Sequence, residues 1–367
     1  DEGRTFGMEP LFKEMGIYAS EGQLYEPVDH NLILSYREST DGQILEQGIT
    51  EAGSTASWIA AATSYATRGV PMIPFYSFYS MFGFQRVGDA LWGAADSRAR
   101  GFLMGATAGR TTLHGEGLQH QDGHSHVLAS VVPACQAYDP AFAYEMAAIV
   151  KDGIGRMYGN DEDVYYYLTL YNEAYAQPAK PDGVDKGIVD GLYKFADAPT
   201  GHDLAATVLF SGPAHAAARA AQEELAEHFG VGVDLWSATS YKKLREDALE
   251  VDRWNRLHPT QERRTPMVTE LLSGGSGPIV AVTDYMRIVP DQIAPYAPRS
   301  FSSLGTYGYG RSDTREALRT FFEVDMPQVV VAVLAGLARD GHIDDPTVQK
   351  AIDMYGIDPD VAAPWRR

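Results

Sequence analysis

Cysteine is nearly absent. Cys135 is the single one in 367 residues, so neither an intrachain disulfide nor a cysteine-based zinc site can be built. Cations are scarce: 30 Lys and Arg stand against 49 Asp and Glu, a net charge of −19. That deficit argues against sequence-independent nucleic-acid binding, which needs clustered cations to release counterions. It equally disfavours an anionic membrane surface. The longest apolar run, around Val329–Ala338, is about half a membrane span and reads as buried core. The opening Asp1-Glu2-Gly3-Arg4 has no Met, no basic region and no apolar region. No secretory signal is expected, and this is the start expected of a piece of a longer product. A reducing, cytoplasmic setting is expected. Several catalytic signatures are missing as well. There is no His-Glu-x-x-His, no Gly-x-Ser-x-Gly and no lysine after Gly274-Gly275-Ser276-Gly277 to make a P-loop.

What is present is an ordinary globular composition, 45% hydrophobic and 22% charged, long enough for two domains. The Ala-rich stretch Ala56–Ala66 predicts a helix ended by Gly69 and Pro71, and Pro71–Phe78 a short strand. Phe84, Val87, Leu91, Ala95 and Ala99 recur at helical spacing. Phe102–Thr107, Val127–Pro133 and Val164–Tyr171 read as strands. Asp139-Pro140 reads as a cap and first helical residue, ahead of a helix closed by Gly159. Ala176–Gly201 is rich in Pro and Gly and marks a junction. Beyond it, Leu204–Phe210, a helix from Ser211 through Phe229, Val231–Trp236 and Ile279–Val282 alternate. Continuous apolar strands between helices predict parallel sheets covered on both faces, that is, two doubly wound α/β units. The boundaries expected are 1–185 for the first, 186–200 for a linker and 201–367 for the second.

Chemistry-bearing residues concentrate in the first half. His114, His120, His124 and His126 fall within 13 positions, with Glu116 and Asp122 among them. Three readings stand: a divalent metal site, a catalytic loop whose histidines act as acid, base or anion donor, or histidines bonded to backbone and water. Gly115-Glu-Gly117-Leu-Gln-His120 lacks the third glycine of a dinucleotide fingerprint. Ser240-Tyr-Lys-Lys243 fits Ser-x-x-Lys without its companion motifs, so it reads as the start of a surface helix. Glu51 opens the Ala-rich segment, either as a first-turn acid favoured by the helix dipole or as a buried polar contact. The aromatic run Phe75–Arg86 is core, or a platform of flat rings for a planar heterocycle.

In combination these segments resemble a known family. Thr50-Glu51-Ala-Gly, Pro74–Arg86, Gly109–His126, Tyr138-Asp-Pro-Ala-Phe-Ala-Tyr-Glu145, Asp284-Tyr-Met and Gly310-Arg-Ser-Asp313 are similar to the thiamine diphosphate-dependent pyruvate dehydrogenase first component, in its large homodimeric bacterial form. The resemblance runs along essentially the whole chain. It implies a pyrimidine-binding transketolase-type middle domain followed by a transketolase C-terminal-type domain. The family's diphosphate-binding Gly-Asp-Gly motif is missing, since the nearest strings are Gly88-Asp-Ala and Gln121-Asp-Gly. Mg²⁺ is therefore expected on a domain outside this chain, and no metal ligand is assigned within it.

The resemblance further implies roles. Glu51 matches the acid that bonds the cofactor's pyrimidine nitrogen, and Phe82 the ring that stacks on the pyrimidine. Tyr79 and Arg86 match polar groups of that pocket, and His120 a histidine facing the substrate adduct. Asp1 and Glu2 match an acidic pair reaching the site. Glu116, His124 and His126 are candidates for ordering the loop. The implied reaction is oxidative decarboxylation of pyruvate with reductive acetylation of a lipoyl group. Its partners are a second copy of the subunit and a lipoyl-bearing dihydrolipoyl acetyltransferase. Two other readings remain: a cofactor-free dimerisation or interaction module, and a metal-dependent hydrolase built on the His loop.

Overall fold

The computed structural model describes residues 7–28, 30, 31, 36–115 and 118–367. A short parallel pair, β1 (Ile17–Tyr18) and β2 (Glu38–Ser39), precedes two larger sheets. The first contains β3 (Phe75–Tyr79), β4 (Phe102–Ala106), β5 (Cys135–Tyr138) and β6 (Tyr165–Thr169) in the order β3-β4-β6-β5, all parallel. The second contains β7 (Tyr193–Ala196), β8 (Leu204–Phe210), β9 (Val231–Ser237), β10 (Ile279–Val282) and β11 (Phe301–Leu304) in the order β11-β10-β8-β9-β7. Only β7 runs antiparallel there.

Both sheets are covered on both faces, as parallel sheets with buried strands require. Every residue of β6 and of β10 is buried. On one face of the first sheet lie α1 (Glu51–Ala62), α2 (Phe84–Asp96) and the short α3 (Ser125–Ala129), through Trp58, Ala62, Leu91 and Ala129. On the other lies α4 (Ala143–Ile154), through Ile149. The second sheet is sandwiched by α5 (His215–Phe229) and α7 (Met326–Arg339) on one face and α6 (Tyr241–Leu257) on the other. Arg315–Arg339 has the length and mean hydropathy, 1.6, of a membrane span. It is instead broken into two helices, and Val329, Val330, Val333, Leu334 and Leu337 of α7 are buried in the second core.

Four local expectations differ from the structure. Val127–Pro133 was expected as strand but its first residues belong to α3. The Asp122 carboxylate accepts from the N–H groups of His124 and Ser125, each at 2.9 Å, and so caps a turn where β-branched propensity favours strand. Asp139 does not cap α4, which begins at Ala143; its carboxylate turns inward to the hydroxyls of Thr169, Tyr171 and Ser211. The stretch 186–200 is no bare linker: it holds most of the helix Asp185–Asp190 and all of β7, an edge of the second sheet. Ser240 does cap α6, accepting from Lys243 N–H at 3.2 Å, but it is buried and also donates to the Ala137 carbonyl at 2.6 Å.

The C-terminal ends of the two sets of strands meet across a polar seam. Asp139 follows β5 and reaches Ser211, which follows β8. Glu145 of α4 is buried, its carboxyl pushed up by burial and held back by four donors. The hydroxyls of Tyr193 and Ser237, from the second sheet, donate at 2.6 Å each, and Ala141 N–H and Phe142 N–H at 2.5 and 3.1 Å. Glu145→Ala takes the acceptor from the Ala141 and Phe142 N–H groups and the Ser237 hydroxyl, while the Tyr193 hydroxyl is left with Tyr144 alone. It is expected to lower stability by about 3 kcal/mol or more in urea denaturation. A loss under about 1 kcal/mol would contradict this reading of the seam.

Candidate functional site

Parallel topology fixes where a site can form. Loops leaving adjacent parallel strands emerge side by side at the carboxyl edge, and a crossover helix running back starts at that same edge. β3 and β4 are neighbours, so the turn after Tyr79 and the His-rich loop after Ala106 lie together, with the start of α1 beside them. Chain separation between Glu51 and His120 is thereby erased.

Thr50 caps α1, its hydroxyl accepting from Gly53 N–H at 3.3 Å, and Glu51 occupies the first turn. The Glu51 carboxylate is buried. Arg86 Nη1, on α2, donates to both of its oxygens, at 3.0 and 2.9 Å. The guanidinium also lies over the Phe82 ring, 4.2 Å from its centroid. Arg86 is half exposed, 53% against 8% for Glu51, so the pair's solvent-facing side is the cation. Behind Glu51, Tyr76 is buried against Ser54 and Thr55; burial pushes its hydroxyl up to about 12, and the Glu51 charge pushes the same way.

A tight turn presents the rings. Ser80–Phe82 forms one 3₁₀ turn and Gly83 follows, where an added Cβ would sit 2.1 Å from the Phe78 ring. Only glycine lets the turn close that tightly onto β3. Phe82 then faces the edge of His120, ring centroids 5.4 Å apart, and Tyr79 lies 5.2 Å from His120. The structure thus brings Glu51, Tyr79, Phe82, Arg86 and His120 into one patch.

The other histidines go elsewhere. His114 is exposed. His124 Nε2 meets the Gln85 side-chain carbonyl at 2.5 Å. His126 is buried, Nε2 at 3.2 Å from the Thr169 hydroxyl, and burial lowers its pKa toward the neutral ring. Among the described residues no three His, Cys, Asp or Glu side chains converge as a metal would require. Asp1, Glu2 and Glu116 lie outside the described residues. The Cys135 thiol is buried and pushed up to about 12, far from nucleophilic use.

Sequence reading missed the residues beneath the loop. Asp284, just past β10, is buried; desolvation pushes its carboxyl up to about 7, against the Thr111 N–H that holds it down. Gln121, next to His120, is buried as well. The available signal was polar residues inside otherwise apolar strings, such as Asp284 after Ile279–Val282.

This donor set suits one kind of ligand. A buried carboxylate at a helix start, steadied by a guanidinium and flanked by three rings, fits a flat nitrogen heterocycle with a protonatable edge.

Residues 1–178 match the pyruvate dehydrogenase E1 component middle domain, and 191–325 the transketolase-like TK C-terminal domain. Among solved structures, transketolase from Leishmania mexicana superposes with a TM-score of 0.61 at 19% identity, over 91% of this chain and 45% of that one. A chain described as split gene transketolase, inactive beta4 tetramer, gives 0.53 at 16% identity, over 92% of this chain and 96% of that one. The chain is therefore a transketolase-like α/β protein. Its sequence is 52% identical to the pyruvate dehydrogenase E1 component of Pseudomonas aeruginosa and 50% to that of Escherichia coli K12, over 99% of this chain in each case. Over residues 1–178 the chain carries the pyruvate dehydrogenase E1 component middle domain, and along its whole length it is similar to part of such proteins. The chain spans about two fifths, 41%, of the length of those two relatives.

Proposed function

We propose that this chain supplies the pyrimidine-side half of a thiamine diphosphate site in a pyruvate dehydrogenase first component. The observation that carries the proposal is the buried Glu51 carboxylate paired with Arg86, whose guanidinium lies over the Phe82 ring, which in turn packs against His120. Thiamine diphosphate, when bound, supplies a nucleophilic carbon and a sink for the electrons released as CO₂ departs. Glu51 would hold the pyrimidine ring nitrogen and share a proton with it. Phe82 would cover the ring's face, while Arg86 keeps the Glu51 carboxylate oriented. His120 would donate to negative charge developing on the substrate's carbonyl oxygen, and the Tyr79 hydroxyl would border the same space.

In the overall reaction the bond between pyruvate's carboxylate and carbonyl carbons breaks and CO₂ leaves. The two-electron oxidant is a lipoyl disulfide, which ends as one acetyl thioester and one thiol. Mg²⁺ and the diphosphate would be bound outside this chain, by a diphosphate-binding domain of the second subunit in a homodimer. The lipoyl group would arrive on a dihydrolipoyl acetyltransferase, in the cytoplasm.

The test compares the complete enzyme with the 367-residue chain. With thiamine diphosphate, Mg²⁺ and pyruvate, the complete enzyme should release CO₂ and acetylate lipoamide. The chain alone should release none and bind the cofactor only weakly by calorimetry. Micromolar, Mg²⁺-dependent binding or CO₂ release by the chain alone would show that the diphosphate site is misassigned. A complete enzyme inert toward pyruvate would sink the function.

A further inference from the structure

The loop carrying His120 leaves the first sheet after β4 and rejoins the fold at α3. Its neck is closed by an antiparallel bridge between Gly109 and Asp122. Three consecutive residues of the second unit grip both feet of that neck. Asp284 Oδ2 accepts from Arg110 N–H and Thr111 N–H, each at 3.1 Å. The Tyr285 hydroxyl donates to Asp122 Oδ2 at 3.2 Å. Met286 N–H donates to the Gly123 carbonyl at 2.8 Å. The fit at the first foot is tight: Gly109 has φ of 79°, and a Cβ there would lie 2.1 Å from Asp284 Oδ2.

A further tie sits beside His120. The Gln121 carboxamide pairs with the Arg311 peptide of the second unit, accepting from its N–H and donating to its carbonyl, both at 2.7 Å. It donates again to the Leu113 carbonyl at 2.7 Å, across the loop. The excursion from 112 to 121 is thus pinned at its ends, and its last residue is pinned by its side chain. Asp284 and Gln121 are each 1% exposed, so these bonds work in a dry environment where they hold geometry firmly.

We infer that Asp284 is a positioning residue for His120: from the second unit it fixes the foot of the loop, and the loop's shape then sets where the imidazole stands against Tyr79 and Phe82. The second unit is on this account a template for the site as well as a cover for the first. The inference rests on the role proposed above for His120.

The experiment uses the complete enzyme and three variants. Asp284→Ala removes the acceptor of two backbone donors. It should lower kcat for pyruvate decarboxylation about 10- to 100-fold, the effect of misplacing a group by about an ångström. KM for pyruvate should stay within about twofold, since ground-state binding is untouched. Amide hydrogen exchange should rise in peptides covering 108–123 and remain unchanged over α1. Asp284→Asn keeps an oxygen where Oδ2 stands and should restore kcat to within about threefold. Tyr285→Phe removes the bond to Asp122 and the longer one, 3.5 Å, from the Ser125 hydroxyl, and should raise exchange over 119–124 with a smaller fall in kcat; it also serves if the alanine variant fails to fold. Wild-type kcat and exchange in the Ala or Phe variant would overturn the inference, as would equal loss in the Asn and Ala variants. His120→Ala, run in parallel, separates the layers. If it slows no step, the reading of His120 fails. If it slows a step while the Asp284 and Tyr285 variants are normal, the positioning inference alone fails.

Discussion

Replacing Glu51 by Gln is expected to slow exchange of the thiamine C2 proton, in the complete enzyme, by about 10²–10⁴-fold, the range of a positioned acid–base group. The amide has the carboxylate's shape but cannot share a proton with a ring nitrogen. Its placement also suffers. Arg86 Nη1 donates to both Glu51 oxygens, so an amide nitrogen in either position would face a like donor. The Gln side chain must therefore present its oxygen to Arg86 and its NH₂ to the pyrimidine. The fold should survive, because Thr50 still caps α1 and the Arg86 partner is half solvated. Proton exchange followed by NMR, with far-UV circular dichroism as the control for folding, decides the matter. Exchange at the wild-type rate would remove Glu51 from the chemistry.

His120→Ala should slow decarboxylation or acetyl transfer by about 10²–10³-fold, the usual effect of deleting one aligned donor. Cofactor affinity should hardly change, since the rings of Phe82 and Tyr79 remain to define the pocket. The imidazole is well suited to orient a donor: it is wedged between Tyr79 and Phe82 at centroid distances of 5.2 and 5.4 Å, and the adjacent Gln121 is immobilised. Single-turnover kinetics with pyruvate resolve the steps, and identical rate constants for all of them would refute the role.

The sequence made the strands and the large helices readable because both sheets are buried on both faces. β10 is an uninterrupted apolar run and β8 nearly so, and Gly230, in the left-handed conformation at the end of α5, marks its stop. Legibility failed where a side chain far away in sequence overrides local preference. Even nearby, Val127 is β-prone, but the Asp122 carboxylate takes the N–H groups of His124 and Ser125 and turns the chain into α3. Asp139 precedes a proline as a cap should, yet hydroxyls from β6 and from the residue after β8 draw it inward. β7 is a short antiparallel edge in Pro- and Gly-rich surroundings, which resembles a linker until its partner β9 is known.

The candidate site divides the same way. Glu51, Tyr79, Phe82, Arg86 and His120 could be picked out because their motifs are dense and local. That they share one patch follows from the adjacency of β3 and β4 and from the direction of α1, which no spacing encodes. Asp284 could not be assigned a purpose from sequence. Its partners, Arg110 and Thr111, are 174 and 173 positions away, and its contact is with their backbone.

A structure of the complete enzyme with thiamine diphosphate bound is the most direct test of the central claim, that this patch is the pyrimidine half of the site. The account predicts a Glu51 carboxylate oxygen within about 3 Å of a pyrimidine ring nitrogen, with the Phe82 ring stacked on the pyrimidine at about 3.5–4 Å. It also predicts the diphosphate and Mg²⁺ on residues outside this chain. Density for the pyrimidine away from Glu51, or Mg²⁺ held by side chains of the His-rich loop, would contradict it.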